Sequence, residues 1–530
     1  MPRASRLLPC LTVAALLALA PRAGAAQHQP LQWSSCGSDS VARVTCADYK
    51  VPRDYDAPAG PQFTLHVAKS PATDPQHRVG SLFLNFGGPG APMAVYLEVL
   101  GADLFPELNK RFDLIGVDPR GVGESKPAVD CVADEQIQGL YSQPFVTPFT
   151  AQKNDLVGRA KRYIQRCIDL NPGALPYLST ANVARDFDTI RAAQGERKLN
   201  YLGFSYGTFL GATYASLFPT HYRAMVLDGP VDADRYINDP LEDTAEQTAG
   251  FERAFGRFLQ ACAAHQDRCH GFGGDDPESA FDRLAAQLDA TPLPATGYKP
   301  DPKPVDGDDL RAAASSELYS TKRWDSLAVA LAMAQGGDGS GIRQLVDEDF
   351  YERDPQTGEY DPLSDRFFLI TAAEQRYPRD LDVYMHDGAQ SWSQNEDFWF
   401  NNGYVEMNDA LFPIRAQDAY TGPFRIPKSA QTPLVVATTY DPATPYRGAQ
   451  RLVADLGNAR LLTMNGDGHT AYQTGSPDCV DTGIESYLAT LMLPAAGTVC
   501  RQAPPFATPA QPQTLSARKL RRLPAPPFMR

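Results

Sequence analysis

At 530 residues the chain can hold one large domain with a sizeable insertion, or roughly two to three ordinary domains. Hydrophobic residues make up 43% and charged residues 21%, which fits a globular protein and excludes a largely disordered one. Asp and Glu outnumber Lys and Arg by 63 to 49, a formal charge of -14, which argues against nucleic acid or an anionic membrane surface as the main partner.

Arg3 and Arg6 precede an apolar run from Leu7 to Ala20, and Ala23 to Ala26 supply small residues for cleavage. Residues 1–26 therefore read as a secretory signal peptide, too short to serve as a membrane span. Cys10 sits ahead of most of the apolar run instead of after it, which argues against a lipid anchor. The expected product is exported, to periplasm or medium, with no membrane attachment. Of 9 cysteines, Cys10 leaves with the signal, and Cys36, Cys46, Cys131, Cys167, Cys262, Cys269, Cys479 and Cys500 remain as sequence-local couples. An oxidising compartment favours disulfides, with pairing between neighbours the simplest choice. Cys262, His265, Cys269 and His270 could instead form a metal site, but the even count outside the cytosol favours the disulfide.

Along the chain, Gln62 to Ser70 alternates as a half-buried strand does. Ser81 to Phe86 and Phe112 to Asp118 are denser apolar runs ending in turns, as buried strands do. Ala181 to Gly195 has helical spacing, Asn200 to Phe204 is the next strand, Tyr206 to Pro219 the helix it feeds, and Arg223 to Pro230 another strand. This alternation predicts an α/β fold with a mostly parallel sheet and helices on both faces. After Pro230 it stops, and the sequence becomes helical, aromatic and irregular. Strand signals return at Pro433 to Pro445 and Ala459 to Thr470. The expected division is a first sheet part (27–230), a mostly helical lid (231–430), a second sheet part (431–500) and a Pro/Arg-rich tail (501–530).

Within "GFSYG", Ser205 stands between glycines at a strand-to-helix turn, the context of a nucleophile elbow. A serine hydroxyl needs a base, usually a histidine held by a carboxylate. In this architecture both follow the serine at later strand ends, acid first. Asp441 ends one such strand, and His469, the last of 8 histidines, follows the next. An acyl transfer also needs donors for the oxyanion. These are the backbone N–H of Tyr206 and one from the glycine-rich "NFGGPG" loop, Gly88 with Gly87 as rival. No cofactor or metal is expected.

"GGPG" (Gly87 to Gly90), "DPRGVGES" (Asp118 to Ser125), "GFSYGT" (Gly203 to Thr208) and "GDGHT" (Gly466 to Thr470) together resemble the prolyl and tripeptidyl aminopeptidases of the α/β-hydrolase superfamily. The resemblance spans roughly Trp33 to Pro230 and Pro433 to Cys500. It implies Ser205 as nucleophile, Asp441 as acid, His469 as base and peptides with a free N-terminus as substrates. Prolyl iminopeptidases carry histidine directly before these glycines, whereas this chain has Phe86 there, which favours the secreted tripeptidyl-type branch. An aminopeptidase must bind an α-ammonium, usually with carboxylates. Glu396 and Asp397, among the aromatics of "SQNEDFWF", resemble the acidic segment of related enzymes, with Glu242 and Glu246 as secondary candidates. The competing reading is an esterase or amidase acting on small substrates without a free amine.

Overall fold

The computed structural model describes residues 29–37, 41–131, 150–395, 397–399 and 406–506. The expected signal peptide, tail residues 507–530 and Glu396 lie outside them. The strands are β1 (Ser34–Ser35), β2 (Thr45–Pro52), β3 (Gln62–Ser70), β4 (Gly80–Asn85), β5 (Phe112–Val117), β6 (Leu199–Phe204), β7 (Tyr222–Asp228), β8 (Leu434–Tyr440), β9 (Arg460–Asp467) and β10 (Val499–Arg501). They form one sheet in the order β1-β2-β3-β5-β4-β6-β7-β8-β9-β10. The pairs β1–β2, β2–β3 and β3–β5 are antiparallel. All pairs from β5 onward are parallel.

Alternation at the edge and dense apolar runs at the centre both follow from how the sheet is covered. In β3, Phe63, Leu65 and Val67 are buried while Gln62, Thr64 and His66 keep some exposure. β4 and β6 are buried at every position. Their successive side chains enter opposite cores: Phe83 and Tyr201 join one cluster, Leu82, Leu84, Leu202 and Phe204 the other. A parallel sheet with helices on both faces produces this pattern. The sheet is thus the mostly parallel α/β sheet expected from the sequence. β1, β2 and β10 had not been expected.

The "DPRGVGES" segment is scaffolding. The Asp118 carboxylate accepts the N–H groups of Met93 (2.7 Å), Ala94 (2.8 Å) and Glu124 (2.9 Å). The buried Arg120 guanidinium donates to both oxygens of Asp186, at 2.8 and 2.7 Å, and to the carbonyls of Arg53, Tyr177 and Pro52. Breaking such a pair typically costs about 3–5 kcal/mol, because it strands a buried charge. The motif therefore ties β5 to the helix Thr180–Ala193 and to the end of β2.

The cysteines are bonded as neighbours: Cys36–Cys46, Cys131–Cys167, Cys262–Cys269 and Cys479–Cys500. Cys262 and Cys269 are therefore a disulfide and not thiolate metal ligands.

Among the described residues no strand of the sheet lies between β7 and β8. That long connection is helical, beginning with Ala233–Asn238 and Pro240–Ala264. The latter buries Phe251, Ala254, Phe255, Phe258, Leu259 and Cys262, a stripe at helical spacing. No described helix is long and apolar enough to cross a membrane.

Candidate active site

β6 runs into Ser205, which sits at φ 55, ψ −129 before the helix Tyr206–Leu217. A non-glycine residue persists there only when its surroundings hold it. The flanking glycines explain how. A Cβ on Gly203 would lie 2.5 Å from the Gly207 carbonyl, and one on Gly207 would lie 2.7 Å from the Asn85 carbonyl. The serine is therefore bracketed by positions that admit no side chain, and it remains partly accessible. Its N–H donates to the Asp228 carbonyl at the end of β7 (3.0 Å), and its carbonyl accepts from Thr208 Oγ1 (2.6 Å).

The loop after β4 lies against this turn. A Cβ on Gly87 would be 3.0 Å from Ser205 Cβ and 3.1 Å from the Tyr206 nitrogen. The Gly87 N–H is used, donating to Asn85 Oδ1 (3.0 Å). The Gly88 N–H has no acceptor among the described residues. Tyr206 is the first residue of its helix, where N–H groups lack intrahelical partners. One unused donor thus follows the serine directly, and in the loop packed against that turn Gly88, not Gly87, is the glycine whose amide is free.

Asp441 follows β8 and His469 follows β9, both fully buried. The Asp441 carboxylate accepts from the N–H groups of Ala443 (2.9 Å), Thr444 (2.8 Å) and Thr470 (3.2 Å), from Thr444 Oγ1 (3.0 Å) and from His469 Nδ1 (2.9 Å). A carboxylate only accepts, so the ring proton is assigned to Nδ1 and Nε2 carries a lone pair. Nε2 is buried without a hydrogen-bond partner among the described residues, so it and Ser205 Oγ are not bonded in this structure. Catalytic hydrogen bonds are often long in the absence of substrate.

The end of β7 joins the two halves. Asp228 receives the Ser205 amide on its carbonyl, while its carboxyl takes the N–H groups of Ala471 (2.9 Å) and Tyr472 (2.8 Å), just beyond His469. Burial pushes this carboxyl up to about 7, against the pull of those two N–H groups. A Cβ on the adjacent Gly229 would lie 3.2 Å from His469 Cε1. Serine, acid and histidine therefore occupy the same end of neighbouring strands.

Asp228 and Tyr319 were not anticipated. The Tyr319 carbonyl accepts the His469 N–H (2.7 Å), and its ring stands edge-on to the imidazole at 5.5 Å. Asp228 could have been noticed as an acid ending an apolar strand. Nothing local in the sequence marks Tyr319.

Of the acidic candidates in the β7–β8 connection, Glu396 is outside the described residues. Asp397 is half-buried, and its N–H and that of Phe398 donate to Glu252 Oε1 at 2.8 and 2.7 Å. Phe398 packs 6.0 Å from Phe251, which packs 5.6 Å from Tyr319, so the segment joins a ladder of rings ending at His469. Glu242 pairs with Arg235 (3.3 Å), and Glu246 with Arg235 (3.0 Å) and Arg451.

A mostly parallel sheet with a glycine-bracketed serine turn and a buried acid–histidine pair at one set of strand ends defines an α/β-hydrolase. Residues 82–476 match the alpha/beta hydrolase fold family, and the chain belongs to it. It is similar to the serine protease Hip1 of Mycobacterium tuberculosis, 31% identical over 490 residues that cover 89% of this chain and 91% of that protein. A carboxylesterase B of the same organism is 32% identical over 481 residues, covering 88% and 89%. The tripeptidyl aminopeptidase of Streptomyces lividans is 28% identical over 499 residues, covering 92% and 89%.

Proposed function

We propose that this protein is an exported serine peptidase that hydrolyses peptide bonds near a free N-terminus. The observation that carries the reading is the buried Asp441–His469 pair, whose unpartnered Nε2 lies at the strand ends that also hold Ser205. In the proposed mechanism Ser205 Oγ attacks the scissile carbonyl while His469 Nε2 takes its proton. The carbonyl oxygen becomes an oxyanion that accepts from the N–H groups of Tyr206 and Gly88. His469 then protonates the leaving amine, the C–N bond breaks, and an acyl-enzyme remains. Water, deprotonated by His469, attacks the ester, and the proton returns to Ser205. Residues 231–430 act as the lid over the two sheet parts, and the acidic segment at Glu396 and Asp397 receives the substrate α-ammonium. The relatives named as a serine protease and a tripeptidyl aminopeptidase support a peptide substrate.

The relative named carboxylesterase B favours a second reading, hydrolysis of small esters without amine recognition. Chromogenic amides of one, two and three residues, each with free and blocked N-terminus, separate the two. Blocking removes a charge-assisted hydrogen bond and leaves a carboxylate unpaired. A loss of about 1.5–3 kcal/mol, roughly ten- to 150-fold in kcat/KM, is expected. Glu396→Gln should reproduce that loss on free-amine substrates and spare a short ester, with Asp397→Asn the weaker control. Equal cleavage of blocked and free peptides would reject amine recognition in favour of the second reading.

A further inference from the structure

Tyr206, the residue after the serine, is buried, and its hydroxyl lies 2.5 Å from Thr180 Oγ1. Thr180 in turn donates from Oγ1 to Glu374 Oε1 (2.7 Å) and from its N–H to Glu374 Oε2 (2.8 Å). All three residues are buried. The direction of the chain follows from donor counting. With the Glu374 carboxyl ionised, the one hydroxyl proton of Thr180 goes to it and the Tyr206 hydroxyl donates to Thr180. Burial pushes that carboxyl up to about 7, so this direction holds above that pH. One end of this relay is thus the residue whose backbone N–H is the proposed oxyanion donor. The other end is the last residue of the helix Leu363–Glu374, in the β7–β8 connection.

The first turn of the same helix meets the other donor loop. A Cβ on Gly88 would lie 3.4 Å from Leu363 Cδ1, and one on Gly90 would lie 2.6 Å from Arg366 Cβ. One helix therefore touches the glycine loop directly and reaches the Tyr206 side through Thr180. Ser205 holds a strained φ of 55, and such a turn keeps its geometry only if the chain on either side is fixed. On the N-terminal side β6 does this. On the C-terminal side the Tyr206 ring has aromatic neighbours, Phe209 at 6.1 Å and Tyr236 at 6.0 Å, and its hydroxyl is tied to Thr180.

We propose that Thr180 and Glu374 are positioning residues for the hydrolysis, holding the Tyr206 N–H at the oxyanion through the Tyr206 hydroxyl. The proposal rests on the Ser205 reading above. A purely structural network would change stability alone. A positioning network changes transition-state stabilisation while leaving ground-state binding intact.

The test uses the full-length enzyme and the variants Thr180→Val, Thr180→Ser and Tyr206→Phe. Thr180→Val and Tyr206→Phe should each lower kcat by about ten- to 100-fold, the scale of an ångström-level misplacement. KM should stay within a factor of about two, and affinity for a peptidyl boronate, whose tetrahedral adduct mimics the oxyanion, should fall in parallel with kcat. Thr180→Ser, which keeps the hydroxyl, should restore both. The double variant should be no slower than the slower single one, because both cut the same chain. Unchanged kcat in folded Thr180→Val and Tyr206→Phe, or losses that multiply in the double variant, would overturn the proposal. Prolonged labelling by a fluorophosphonate reports separately on the nucleophile. Ser205 labelled to completion in a fully active Thr180→Val rejects the relay alone, whereas wild type that is never labelled at Ser205 rejects the underlying serine reading.

Discussion

Ser205→Ala is expected to lower kcat by at least about 10³-fold, and towards about 10⁶-fold if serine, histidine and acid act as one unit. The lower figure corresponds to about 4 kcal/mol of lost transition-state stabilisation. What remains after the substitution is binding and the proposed oxyanion donors, the amides of Tyr206 and Gly88, with no nucleophile to serve. The fold should be untouched. Ser205 takes part in the structure through its backbone, donating to Asp228 and accepting from Thr208, and alanine keeps both bonds. Thermal unfolding should therefore match wild type while steady-state kinetics collapse. Activity within a few-fold of wild type would remove Ser205 from the chemistry.

Asp441→Asn should lower kcat by about 10⁴-fold, with KM little changed. The carboxylate accepts the Nδ1 proton of His469 and so leaves Nε2 free for the proposed transfer of the serine proton. An asparagine amide nitrogen facing Nδ1 would donate instead, moving the ring proton to Nε2 and removing the base. The charge that stabilises the imidazolium would also be gone. Because Ala443, Thr444 and Thr470 direct further hydrogens at the same carboxylate, the amide would meet donors whichever way it is turned. Some loss of stability should accompany the kinetic loss, readable as a lower unfolding temperature. Near-normal kinetics in Asp441→Asn, with another carboxylate proving essential, would contradict the assignment.

Much of the sheet could be read from the chain because parallel strands buried on both faces must be apolar throughout, and β4 and β6 are. β3 was legible for the opposite reason, since its alternation reflects one buried face. β2 escaped because "TCADYKVP" at the edge carries Asp48, Lys50 and a terminal proline, which dilute any strand signal. β10 is only 3 residues long, below what a periodic pattern can reveal. That the cysteines form disulfides could be expected from their even count, but their connectivity could not be deduced; the structure pairs them as neighbours, the simplest choice.

The site divides the same way. Ser205, Asp441 and His469 could be nominated because each sits where a strand gives way to a turn, and the order of those turns follows from the fold. Thr180 and Glu374 could not be nominated. They are 194 residues apart, and no local pattern encodes a bond across that distance. Tyr319 meets His469 across a similar gap. The proposed α-ammonium site is harder still, since "SQNEDFWF" offers adjacent carboxylates and the sequence supplies no rule for choosing between them.

The proposed hydrolysis passes through a covalent acyl-enzyme on Ser205. Its most direct test is mass spectrometry of enzyme quenched in acid during turnover of an activated tripeptide ester, which acylates faster than it is cleared. The expected result is a mass increase equal to the peptidyl acyl group, mapped to the peptide containing Ser205 and absent from Ser205→Ala. Acylation of a different residue, or rapid turnover by an enzyme that never carries the acyl mass, would contradict it.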